Sequence, residues 1–169
     1  IKNISNLGDA AVYCDFGSDV NEIINSNVIC YFHQISKLTK EGKIEGIINL
    51  TPSYNKLIIS FDLTVTNYKT IKNIIENLTI KNTLKSKNKD IEIPICCDEN
   101  FSLDFNRLSQ KLSLNKDRIL ELYLNKKYFC YMTGFIAGMP FLGDTDKSIR
   151  CKRLETPRTK VPKGSVGIT

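Results

Sequence analysis

Gly8-Asp9-Ala10-Ala11-Val12-Tyr13-Cys14-Asp15-Phe16-Gly17-Ser18-Asp19-Val20 is the stretch from which the fold can be read. Gly8-Asp9 is turn chemistry, and Ala10–Phe16 then reads as a first strand. Ser18 and Asp19 are expected to cap a long helix over Val20–Lys40. Its apolar positions Val20, Ile23, Ile24, Val28, Tyr31, Phe32, Ile35 and Leu38 recur at three- and four-residue steps, which makes one buried stripe. Gly42 is a plausible stop.

Outward from this strand and helix, two further strands are expected, Ile44–Leu50 and Lys56–Asp62, joined by a turn at Thr51-Pro52-Ser53-Tyr54-Asn55. A second helix, Tyr68–Ile80, aligns Ile71, Ile74, Ile75 and Leu78 on one face. The order β-α-β-β-α begins a ferredoxin-like α+β unit, so residues 1–80 are read as an α+β lobe. Lys81–Asp90 has almost no apolar anchors and reads as a linker. A second domain then covers 91–169. It is expected to start with a strand over Ile91–Cys97, at an edge or bulge because of Pro94. Two short helices follow, Leu103–Leu112 capped by Ser102 and Asn115–Leu124 capped by Ser113 or Asn115. A strand over Lys127–Thr133 comes next. The two helices are not a nucleic-acid reader, because the second presents Lys116, Asp117, Arg118 and Glu121, a balanced mixture.

The glycines and prolines concentrate after residue 130. Tyr131–Gly143 and Thr156–Ile168 suit neither a regular helix nor a central strand. The first reads as a shaped loop leaving a strand, and the second as a shaped turn feeding another. Two such loops close together point to a site. Arg158, stiffened by Pro157, suits a carboxylate or phosphate, which a guanidinium grips bidentately. Gly164 and Ser165 could offer amides and a hydroxyl to the same anion. On spacing alone, Arg158 could equally make a structural salt bridge while the glycines only turn corners.

Composition removes several function classes. No run reaches the length of a membrane span, so no membrane role is expected. The first residue is Ile1, which reads as a missing or processed start. The net charge of +6 is uneven: Lys147–Lys163 holds seven basic residues and one acid. No aromatic interleaving or binding motif accompanies it, so no nucleic-acid partner is expected. The six cysteines contain no CxxC pair and there is one histidine, so a zinc site lacks its usual ligands and spacing and no metal site is expected. Reduced, mostly buried thiols in a cytoplasmic protein are expected. His33 lies within the apolar helix, so no Ser-His-Asp triad can be built without it. Neither a P-loop nor a dinucleotide fingerprint is present.

Tyr128–Leu142 and Thr156–Ile168 closely resemble the family of 5-oxoprolinase B subunits, also called allophanate hydrolase subunit 1, KipI-like, or carboxyltransferase subdomain C and D. In that family a GFPYL-like loop precedes a TPR-x-x-VP-x-GSVGI segment. Gly8–Val12 and Ile91–Cys97 also look like the family's pattern, so the resemblance spans nearly the whole chain. It implies a cyclophilin-like β-barrel after the N-terminal lobe. The family continues past GSVGI, so residues 91–169 are expected to hold only the N-terminal part of that barrel, truncated at Thr169. The resemblance further implies the B subunit of an ATP-dependent 5-oxoprolinase, a hydrolase of a cyclic amide that works with A and C subunits. The cofactor implied is ATP with magnesium, shared with a partner subunit. A KipI-like inhibitor of a sensor histidine kinase is the alternative. In the enzyme reading Gly134, Phe135, Gly138, Pro140 and Phe141 shape a pocket wall, and Pro157, Arg158, Gly164 and Ser165 hold the anion. Tyr123-Leu124 stands where members often carry a histidine, and the catalytic residues stay unassigned.

Overall fold

The computed structural model describes residues 1–80 and 89–168. The chain divides into two units, Ile1–Asn88 with Cys130–Leu142, and Lys89–Phe129 with Gly143–Thr169. The first combines helices with antiparallel strands, whereas the regular structure described in the second is helical. Most of the linker expected over 81–90 lies outside the described residues.

The first unit contains β1 (Asn3–Asn6), β2 (Ala11–Asp15), α1 (Glu22–Lys40), β3 (Ile47–Ser53), β4 (Lys56–Phe61) and α2 (Tyr68–Glu76). The sheet order is β1-β2-β4-β3. Strand alternation decides which side chains go inward. In β2 these are Val12 and Cys14, and in β4 Leu57, Ile59 and Phe61, all at most 1% exposed. The register pairs Val12 with Ile59 and Cys14 with Leu57, which aligns the two inward rows. Val28 and Ile35 of α1 and Ile71 and Ile75 of α2 complete the same cluster. Each such burial contributes roughly 1.5–3 kcal/mol before the entropy of ordering is set against it.

Several expected boundaries move, each for a local reason. Helix α1 starts at Glu22, not Val20, because Asn21 is extended and its Oδ1 accepts the Ile24 amide at 2.9 Å. That corrects the expected Ser18–Asp19 cap and leaves Val20 and Ile23 outside the buried stripe, 45% and 78% exposed. Strand β3 starts at Ile47, after Gly46 at φ 77°. It runs through Thr51-Pro52-Ser53, so the turn tightens to Tyr54-Asn55. Pro52 is tolerated there because β3 lies at the sheet edge, where a missing donor is harmless. Helix α2 ends at Glu76 rather than Ile80.

The second unit carries α3 (Phe105–Leu112) and α4 (Lys116–Leu124). Ser113 takes a left-handed φ of 54° between them, and the Asn115 side chain caps α4 by accepting the Arg118 amide at 2.8 Å. Ser102 does not cap α3. Its hydroxyl donates to the carbonyls of Cys97 and Asp98, and Asp104 takes the cap position. The strand expected over Ile91–Cys97 does not form. Pro94 offers no amide, and Ile91, Ile93 and Ile95 are 71%, 59% and 38% exposed, so no apolar face is buried to hold it. Strand β5 (Phe129–Thr133) pairs with β6 (Pro140–Gly143), and these are the strands among the described residues after 88.

Candidate functional site

Strand β5 delivers the chain to the glycine-rich loop, which closes as a hairpin. The Gly134 amide donates to the Met139 carbonyl at 3.0 Å, and the Met139 amide donates to the Ile136 carbonyl at 3.0 Å. Phe135 and Gly138 both take positive φ, 63° and 80°, so the loop bends twice in the left-handed region. Phe135 is strained there as a bulky residue, and its ring is 90% exposed. Pro140 opens β6, where its missing donor does no harm. Phe141 packs edge-on against Tyr54 with centroids 6.4 Å apart, and Tyr131 stacks on the same ring at 5.8 Å.

Asn25 fixes this hairpin on the first unit. It is 2% exposed in α1, and its Nδ2 donates to the Tyr54 carbonyl at 2.7 Å and the Tyr131 carbonyl at 2.9 Å. Sequence reading missed it. The available signal was a polar residue beside the apolar stripe of α1, between Ile24 and Val28. The first unit also holds a groove of about 320 Å³ lined by Lys2, Tyr31, Lys72 and Glu76 among others, to which none of the expected site residues contributes.

The second unit places Pro157, Arg158, Gly164 and Ser165 in exposed, irregular chain. Arg158 is held in a fork by Asp104, Nη1 to Oδ2 and Nη2 to Oδ1, each 2.8 Å. Arg107 Nε lies 3.6 Å from Asp104 Oδ1. The Arg158 hydrogen bonds hold the Asp104 carboxyl below the usual carboxylate range, and Arg107 adds to this. The same contact raises Arg158 above its ordinary value. The guanidinium expected to meet an external anion is therefore engaged by an internal one. At Gly164, φ 83° makes a turn in which the Ser165 amide and hydroxyl both donate to the Pro162 carbonyl, at 3.2 and 2.7 Å. Ser165 is thus turned inward on its own loop. No strand follows it through residue 168, contrary to expectation.

The expected site residues therefore fall into two groups, Gly134, Phe135, Gly138, Pro140 and Phe141 in the first unit and Pro157, Arg158, Gly164 and Ser165 in the second. All six cysteines are free. The expectation that most are buried is corrected, because Cys14 and Cys30 are buried whereas Cys96 and Cys130 are exposed. His33 is exposed and sits edge-on to Phe32. Among the described residues no group of three or more His, Cys, Asp or Glu could hold a metal ion, and no helix is long and apolar enough to cross a membrane.

A small antiparallel α/β unit joined by a hairpin from later in the chain, with a separate helix-containing unit, defines the class of protein. The chain belongs to the carboxyltransferase domain, subdomain C and D family, whose model matches residues 2–169. It is 28% identical over 177 residues to the 5-oxoprolinase B subunit of Bacillus subtilis (strain 168), covering 98% of this chain and 72% of that one. To the 5-oxoprolinase B subunit of Haemophilus influenzae it is 30% identical, covering 98% and 75%. A crystal structure of TTHA0988 shares the fold at a TM-score of 0.74 and 21% identity. That comparison covers 91% of this chain, which spans 29% of the longer TTHA0988 chain.

Proposed function

We propose that this chain acts as the B subunit of an ATP-dependent 5-oxoprolinase, which opens 5-oxoproline to glutamate together with A and C subunits in the cytoplasm. The observation that carries the reading is the match along 98% of the chain to two relatives of that name. In this reading the first unit is a ferredoxin-like lobe. Its sheet order β1-β2-β4-β3 supports that, with β1 standing where the fourth strand of such a lobe pairs. The second unit contributes to a cyclophilin-like domain. The exposed tip at Phe135 and Ile136 offers an apolar surface to a partner in the complex.

ATP would supply the activation of the amide. Among the described residues the guanidiniums of Arg107 and Arg158 stand together on one carboxylate and suit a phosphate or carboxylate oxygen, so their share in this reading is to bind and orient an oxyanion. No residue is assigned to magnesium, and no proton transfer is assigned to this chain. The test is 5-oxoproline-dependent ATP hydrolysis by the chain with and without the A and C subunits. Stimulation in the three-component mixture supports the reading, and no stimulation in any combination removes it.

A further inference from the structure

In the second unit two guanidiniums meet one carboxylate. Arg158 takes both oxygens of Asp104 in parallel 2.8 Å bonds. Arg107 stands 3.6 Å from the same carboxylate, too far for a hydrogen bond, and its Nε and Nη1 are buried with no hydrogen-bond partner. A structural pair would be complete with Arg158 and Asp104 alone. The second arginine adds a like charge and leaves buried donors unmatched, which is costly unless something accepts from them. Asp104 also opens α3, where amides at the helix start favour negative charge. The basic stretch Lys147–Lys163, with seven cations against one acid, belongs to the same unit and raises the positive potential around it.

We propose that Arg107, Asp104 and Arg158 form an oxyanion-binding site in which Asp104 is an internal competitor. A carboxylate or phosphate would displace Asp104 from the fork of Arg158, and that displacement uncovers the Arg107 donors, which are buried while Asp104 is in place. The inference rests on the proposed function only for what the anion belongs to, a nucleotide phosphate or the carboxylate of a small acid. The site itself follows from the geometry of the three side chains. Asp104 then sets affinity, since its removal frees a preformed fork.

The experiment follows the arginine Nε–Hε signals of the full 15N-labelled chain by NMR. Inorganic phosphate and, separately, acetate are titrated at constant ionic strength. Arg118, exposed and paired with Glu121, is the internal reference. Saturable shifts at Arg107 and Arg158, with only a linear drift at Arg118, are expected. Asp104→Asn should tighten binding about fivefold or more, and Arg107→Lys, which keeps the charge but removes the guanidinium donors, should weaken it about tenfold. Saturation by phosphate alone assigns a phosphate ligand, and by acetate alone a carboxylate. Parallel linear drift of all three arginines with both anions overturns the proposal. So does unchanged affinity in Arg107→Lys, which needs no change at the helix cap. ATP turnover with the partner subunits but no saturation here sinks this inference and leaves the proposed function standing. Saturation without turnover does the reverse.

Discussion

Asn25 is the one polar side chain among the buried residues of α1, and its amide donates to two carbonyls at once. Asn25→Leu keeps the volume but takes that donor away from Tyr54 and Tyr131. A loss of about 2–3 kcal/mol in unfolding free energy is expected, readable in urea denaturation. Unchanged stability would mean that water replaces the amide without cost. Gly46 is a second such point. A Cβ there would stand 2.8 Å from Thr66 Cγ2 and 3.1 Å from Val65, at a φ of 77°. Gly46→Ala is therefore expected to cost about 2–3 kcal/mol, from left-handed strain together with the clash. Thiol labelling reads burial more directly. Burial pushes the Cys14 thiol up to about 12, so it stays protonated and covered. Cys96 and Cys130 should react with an aromatic disulfide reagent in the native protein, and Cys14 only after unfolding. Asp15 supplies the pH dependence. Its carboxylate bonds Lys56 and the Gly17 amide, and these contacts lower it below the ordinary value. Because the folded value is the lower one, its stabilisation is whole above the unfolded carboxylate range near pH 4 and fades as pH falls through the folded value. Asp15→Asn should flatten that part of the acid limb in a stability-against-pH series, and an unaltered limb would remove Asp15 from it.

At the scale of elements, strong periodicity was readable and weak periodicity was not. The stripe Val28–Ile35 and the alternation in Lys56–Phe61 located α1 and β4 because burial repeats along each element. β1 escaped because Asn3-Ile4-Ser5-Asn6 holds a single apolar residue, and its place is set by pairing with β2 rather than by its own pattern. The Ile91–Cys97 run misled for the opposite reason. It has the alternation of a strand, yet alternation records what a strand could bury, not whether a partner exists. Helix starts were legible to within a residue or two: α2 begins at the expected Tyr68, whereas α1 is capped by Asn21 just past the expected Ser18 and Asp19. Where the cap was among those expected, its effect can be measured: Asn115→Ala should cost about 1 kcal/mol, checked by thermal unfolding. The candidate site was legible in its residue types but not in its pairing. Residue types located Arg158 and the two glycine turns, but its partner Asp104 lies 54 positions away, and no local pattern announces such a pair.

For the whole molecule, the consequence of the fold is that the first unit is not continuous in sequence. Its sheet and helices come from the first eighty residues, and its hairpin comes from Cys130–Leu142, after the chain has built α3 and α4 elsewhere. The eleven buried residues of the core cluster all lie between Val12 and Ile75, so a chain ending at residue 80 retains that core. Chief among what it lacks are the ring pair Tyr131 and Phe141 on Tyr54 and one of the two acceptors of Asn25, beside the weak sulfur acceptor that Met132 offers Ser53. Two aromatic contacts at about 0.5–1.5 kcal/mol each and one buried hydrogen bond near 1 kcal/mol give a deficit of about 2–4 kcal/mol. Residues 1–80 expressed alone should therefore fold with the same sheet but unfold at lower urea than the same residues in the full chain. Hydrogen exchange on the amides of α1 and β4 gives the comparison, because it reads the first unit separately within the intact protein. Protection in the short chain should fall by a factor of about thirty to several hundred, the same free energy expressed as an exchange ratio. Equal protection would show that the hairpin rests on the unit without stabilising it. Asn25 would then be satisfied by the Tyr54 carbonyl alone.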